Sequence, residues 1–127
     1  MSESRLHRRR VLALVRHMQA RGVEVLAADA PGWRRPPPIG GRRPDVFGFY
    51  PVLGVAVAGE VKRGPEAWAS FPQLYQITAG LAALCPRGAS GLLVLAAAAP
   101  EWEDDLELLR QVLGEGRTAI AMWPCAA

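Results

Sequence analysis

Apolar positions near the N-terminus recur with the period of a helix. Within residues 5–20 four apolar side chains fall at i, i+3, i+4 and i+7, while the arginines lie largely off that stripe. The stripe consists of Val11, Leu14, Val15 and Met18. We therefore predict an amphipathic first helix that ends at Arg21-Gly22.

The next segments have the pattern of strands. Val23–Ala28 reads as a first strand, and the Pro- and Gly-rich segment 31–41 reads as a loop. Asp45–Tyr50 and Gly54–Lys62 are rich in Val, Phe and Tyr and are separated by a short connection. They predict two adjacent strands that form a hairpin.

Helical and strand patterns alternate in the second half of the chain. A helix begins at Pro72 and ends before Pro86, with an inner stripe of Leu74, Ile77, Thr78 and Leu81. Gly91–Ala98 is apolar throughout, which favours a strand in the middle of the sheet. A third helix follows Pro100, and its acidic start, Glu101 to Asp105, suits a helix N-terminus. Thr118–Trp123 predicts a last strand.

This order of elements predicts an α/β sandwich with a central mixed sheet flanked by helices. The length of 127 residues, 50% of them hydrophobic, favours a single domain over residues 1–127. The chain has no apolar run of about eighteen residues and no signal-peptide pattern, so we expect a cytoplasmic protein without a membrane partner. Cys85 and Cys125 lack the spacing of a zinc site or a disulfide framework.

The positive charge of the chain is concentrated in its N-terminal half. Residues 1–63 hold twelve basic against five acidic residues, a net +7, whereas residues 64–127 carry −4. A basic half suits a polyanionic partner, although a solvated arginine face is the commoner cause. Lys62 is the only lysine among the fifteen basic residues. A position that retains lysine in such a composition indicates a need for a compact, titratable cation.

One constellation of residues suggests chemistry. Strand alternation places Glu60 and Lys62 on one face at the end of an otherwise apolar strand, where the alternative is a solvent-side ion pair. Asp45 begins the partner strand, so strand pairing brings two carboxylates together. Such a pair favours a divalent cation between them, and we expect Mg²⁺ (or Mn²⁺) on Asp45, Glu60 and the backbone carbonyl of Val61. Lys62 would assist the attacking water.

Pro44-Asp45 followed by Glu60-Val61-Lys62 resembles the signature of the PD-(D/E)XK, or restriction-endonuclease-like, nucleases. The layout of residues 5–84 is also similar to that of small Holliday-junction-resolvase-like nucleases. The resemblance implies the restriction-endonuclease-like fold, catalytic roles for Asp45, Glu60 and Lys62, a polar helper at Gln73, and homodimerisation by analogy. Resolvase-type relatives also carry an acid in the first helix, where this chain offers only Glu3.

The loop before Asp45 is the predicted nucleic-acid contact. Its arginines would bind phosphates and Trp33 would stack on an unpaired base, against the alternative of an ordinary Pro-rich loop. The predicted phosphate contacts are Arg34, Arg35, Arg42 and Arg43. His7 and His17 are interpreted as surface residues of the first helix.

Three functions follow from these observations. The first is a metal-dependent nuclease that hydrolyses phosphodiester bonds in DNA, with RNA left open as a substrate. The second is a nucleic-acid-binding or scaffolding domain of the same fold with weak or no turnover. The third is a small α/β interaction protein in which Glu60 and Lys62 form a structural pair.

Overall fold

A computed structural model describes residues 2–62, 68–84, 91–97, 104, 107, 110, 111 and 119–123. Within this part of the chain two helices and five strands are defined. They are α1 (Ser2–Ala20), β1 (Glu24–Ala28), β2 (Val46–Tyr50), β3 (Val55–Lys62), α2 (Phe71–Leu84), β4 (Leu92–Ala97) and β5 (Ala119–Trp123). The predicted helix after Pro100 and its acidic start lie largely outside the described residues.

The five strands form one mixed sheet in the order β1-β2-β3-β4-β5. β1, β2 and β3 are antiparallel neighbours, whereas β4 and β5 are added in parallel. The general α/β class and the mixed sheet of the sequence analysis are thereby confirmed. β3, rather than β4, is the middle strand of the sheet, although β4 is buried on both faces as its apolar run predicted.

α1 packs on one face of the sheet through the predicted stripe. Val11, Leu14, Val15 and Met18 are each at most 2% exposed and form one core cluster with residues of β2, β3 and β4. Gly59 of β3 lies beneath this helix, where an added Cβ would come within 3.0 Å of both Leu14 and Met18. The absence of a side chain at Gly59 thus lets α1 lie close to the sheet.

α2 covers the opposite face with its own predicted stripe. Its four buried residues are Leu74, Ile77, Thr78 and Leu81. The apolar members of this stripe pack with Ile39, Ala58, Leu93 and Leu95 in a second core cluster. The sheet is therefore enclosed between two helices over β3 and β4, and alternate residues of each strand supply the two clusters.

The loop before β2 is held against α2 by glycine contacts. Gly80 of α2 leaves space for the backbone of Gly40, since a Cβ on Gly80 would lie only 2.3 Å from the Gly40 nitrogen. Gly40 itself has a φ of +62° and would meet the Gln76 carbonyl if it carried a Cβ. Ile39 then enters the core beneath α2. This docking fixes the course of the chain shortly before Asp45.

Replacing Gly80 tests that docking. Alanine normally stabilises a helix interior by about 1 kcal/mol over glycine. Here the clash with backbone atoms reverses the sign, and we expect Gly80→Ala to lower the free energy of unfolding by about 1–3 kcal/mol in urea denaturation. Ala79→Ser, on the exposed side of the same helix, should change it by less than about 0.5 kcal/mol. A stabilised Gly80→Ala protein would contradict the close approach.

Candidate metal centre

Asp45 lies immediately before β2, one residue outside the strand that it was predicted to begin. The buried Pro44 precedes it, and Val46 starts the strand opposite Gly59 of β3. Continuing that antiparallel register by one residue sets Asp45 opposite Glu60. The hairpin therefore brings the two predicted carboxylates together.

Three elements hold Asp45 in place. Its Oδ2 accepts a hydrogen bond of 2.8 Å from the Val61 N–H of β3, and its Oδ1 lies 3.1 Å from Nε2 of His7 on α1. Its backbone carbonyl accepts a 2.8 Å hydrogen bond from the Asp29 N–H at the end of β1. The carboxylate is thus oriented by groups from both the sheet and the first helix.

These surroundings favour the ionised form of Asp45. Burial by itself raises the pKa of the Asp45 carboxyl. The hydrogen bond and the charge of His7, the Val61 N–H and a hydrogen bond with Glu60 outweigh that effect and hold the pKa below its ordinary value. Asp45 is therefore a carboxylate at neutral pH.

Glu60 and Lys62 occupy the positions that strand alternation predicted. Ala58 belongs to the core cluster under α2, so Glu60 and Lys62 lie on that face of β3. Glu60 is only 5% exposed and Lys62 is half-buried. No hydrogen bond or ion pair of Lys62 is present among the described residues, and its ammonium group is not paired with Glu60. The expectation of an internal strand that ends in charged residues is met.

Asp45 also belongs to a second group of candidate ligands. Nitrogen or oxygen atoms of His7, Asp29 and Asp45 all fall within 4.8 Å of one another. Two carboxylates and one imidazole are a donor set that fits a divalent transition-metal ion. Glu60 interacts with Asp45 but is not a member of this group.

Sequence reasoning missed His7 and Asp29. His7 was interpreted as a surface residue, yet it is half-buried and in contact with Asp45. His7 lies on the first helix, where the resemblance to resolvase-type nucleases predicts an acidic residue. The side chain of Glu3, the one acid near that helix start, lies outside the described part of the structure. Asp29 directly follows β1, and a strand end next to a Pro- and Gly-rich loop was the available signal.

The remaining predicted residues are spread around this centre. Gln73 is half-buried on α2, and among the described residues its side chain forms no hydrogen bond with Asp45. Arg42 donates to the Gln76 side chain at 3.3 Å, and Arg43 donates to the Pro36 carbonyl at 2.7 Å. Arg35 lines a cleft beside Asp29, whereas the exposed Arg34 does not.

No protein-family model, curated protein or solved structure matches the chain. Within the described residues, no helix has the length and apolar character needed to cross a membrane.

Replacing His7 tests its role at Asp45. In a ¹³C NMR titration, we expect the Asp45 carboxyl of the wild-type protein to titrate below the unfolded-state value of about 3.9. His7→Gln removes the cationic partner and should raise that midpoint. His17→Gln, which removes the other histidine of α1, should leave it unchanged. An unchanged midpoint in His7→Gln would show that His7 does not stabilise the carboxylate.

The same lowered pKa makes a prediction about stability. A folded pKa below the unfolded one contributes stability that is present above the unfolded pKa and is lost as the pH falls through the folded pKa. We expect Asp45→Asn to lower the free energy of unfolding at pH 7, and this deficit should shrink as the pH is lowered toward 3. Urea denaturation at several pH values measures it, with Glu24→Gln as the control for an exposed acid.

Proposed function

We propose that this chain is a divalent-metal-dependent nuclease of the restriction-endonuclease-like type that hydrolyses phosphodiester bonds in DNA. The single observation that carries the proposal is the position of Asp45, which interacts with Glu60 of β3 and also belongs to the group formed with His7 and Asp29. The order Asp, Glu, Lys along a hairpin and the half-buried Lys62 beside Glu60 support it.

The donor set influences the choice of metal. Mg²⁺ binds almost wholly through oxygen, whereas an imidazole ligand is characteristic of transition metals. Asp45 and Glu60, with the Val61 carbonyl, would hold Mg²⁺, while His7, Asp29 and Asp45 would hold Mn²⁺. A bound cation would neutralise charge on the phosphate and lower the pKa of a nearby water. We therefore expect Mn²⁺ to support higher activity than Mg²⁺.

The protein groups have separate tasks in the proposed hydrolysis. Water attacks phosphorus, the bond to the leaving oxygen breaks, and the leaving oxygen takes up a proton. Lys62 orients the attacking water or donates to a phosphate oxygen, because its ammonium group has no other partner among the described residues. The carboxylates of Asp45 and Glu60 position the cation, and Gln73 is retained as a polar helper on α2.

Activity measurements on matched variants test the proposal. With Mn²⁺ or Mg²⁺ and labelled duplex, single-stranded, flap and junction DNA, we expect Glu60→Gln and Lys62→Ala to lower the cleavage rate by about 10²–10⁴-fold. Binding of DNA should survive. Lys62→Arg should not restore the rate, because guanidinium is broader and does not release its proton. Glu24→Gln, an exposed acid at the far end of β1, is the control.

Absence of cleavage with both metals on all four substrates would refute the nuclease proposal. Retained DNA binding in that case would favour the second candidate, a non-catalytic nucleic-acid-binding domain. The observation that favours this second candidate is the net charge of +7 on residues 1–63. Failure to bind any of these substrates at low salt would leave the interaction-protein alternative.

Metal binding is measured independently of cleavage. In an electron paramagnetic resonance titration of Mn²⁺, we expect Asp45→Asn, Asp29→Asn and His7→Gln each to weaken binding about tenfold or more, since each removes one ligand. His17→Gln should bind as the wild type does. Equal affinities for Mn²⁺ in all four variants would mean that the cluster is not a metal site.

A further inference from the structure

An open cleft of about 300 Å³ adjoins the candidate metal centre. Arg8 of α1 forms one side, and Trp33 and Arg35 of the loop after β1 form the other, with small apolar residues between them. Asp29 lines the cleft and also belongs to the group of metal ligands. Whatever occupies the cleft therefore lies next to the proposed catalytic cation.

The aromatic side of the cleft is held in place by the fold. Trp33 is half-buried and packs against the core cluster under α1. The backbone N–H of Trp33 donates to the Ala30 carbonyl at 3.2 Å, and the backbone N–H of Ala28 in β1 donates to the Arg34 carbonyl at 2.9 Å. The loop is thus tied to the end of β1, and the Trp33 side chain is anchored by its packing against the core cluster.

Among the described residues, the cations of the cleft have no acidic partner. Arg8 and Arg35 are exposed, and neither guanidinium has an ion pair in that part of the chain. Two such guanidinium groups lining a cleft with an indole match the chemistry of a nucleotide, whose phosphate takes up bidentate donors and whose base presents a flat π-face. The volume lies at the low end of ligand sites, about 300–1,000 Å³, which suits one nucleotide residue.

We propose that this cleft binds one unpaired nucleotide of a single-stranded nucleic-acid segment. The base stacks on Trp33, and the adjoining phosphates contact Arg8 and Arg35. A base inside a duplex is already stacked on both sides, so it cannot use the indole. This proposal rests on the proposed function for its position beside the reaction, and it makes single strands and branched DNA with an unpaired arm the substrate class.

Binding without metal tests the proposal separately from turnover. Fluorescence anisotropy in the presence of EDTA compares a labelled oligothymidylate with a blunt-ended DNA duplex of equal charge. We expect Trp33→Ala to weaken oligothymidylate binding by about five- to one hundred-fold, the loss of one stacked base, and to change duplex binding less than twofold. Trp33→Phe should retain most of the affinity. Tyr75→Ala, an exposed aromatic on α2 across the sheet, should have no effect.

Further variants separate stacking, charge and folding. Trp33→Leu keeps the apolar packing but lacks the aromatic face, and it should bind as weakly as Trp33→Ala while retaining the wild-type circular dichroism spectrum. Arg8→Ala and Arg35→Ala should each reduce the slope of log affinity against log salt by about 0.7 for the single strand. Arg16→Ala, exposed on the same helix but outside the cleft, should not change that slope.

The outcomes distinguish this proposal from the nuclease proposal. Wild-type protein that does not bind oligothymidylate, Trp33→Leu that binds it normally, or equal losses on single strand and duplex would each overturn the cleft proposal. Glu60-dependent cleavage alongside one of these results would leave the nuclease proposal standing alone. Trp33-dependent binding without cleavage of any substrate would support the cleft proposal and refute the nuclease proposal.

Discussion

The contacts of one carboxylate, that of Asp45, join the parts of this molecule on which its proposed chemistry depends. The Val61 N–H of β3 donates to the carboxylate, and His7 of α1 contacts it. The backbone carbonyl of Asp45 accepts a hydrogen bond from the Asp29 N–H at the end of β1. A buried carboxylate is costly unless hydrogen bonds or charges compensate for lost water. Here they overcompensate, since the pKa of Asp45 lies below its ordinary value. Folding and the candidate centre thus rely on the same interactions.

The architecture around Asp45 explains why acidic groups collect there. β1 and β3 both end close to the start of β2, so Asp29 and Glu60 approach Asp45 from neighbouring strands. The pairing of β1 with β2 shifts its register between Val25 and Ala27, shortly before Asp29. Gly59 allows α1 to pack closely, and this helix carries His7 and Arg8 to the same edge of the sheet. Close packing of small residues therefore determines which polar groups meet.

The local elements could be predicted because their patterns depend on burial alone. The stripes of α1 and α2 are the buried positions of those helices. β4 and residues 55–59 of β3 are apolar on both faces because a helix covers each side. Strand alternation also placed Glu60 with Lys62. The contacts of His7 and Asp29 with Asp45 were not predictable in this way, because a histidine on an amphipathic helix and an aspartate after a strand have common structural explanations.

By itself the sequence determined the two helical stripes, the hairpin, the mixed α/β class and the shared face of Glu60 and Lys62, since periodicity specifies which side of an element is buried. Tertiary structure decided the strand order, the contact of Asp45 with His7 and Asp29, and the cleft between Arg8 and Trp33. These depend on how closely α1 and the loop after β1 approach the sheet. That distance follows from packing among residues that are far apart in the chain, which no local pattern contains.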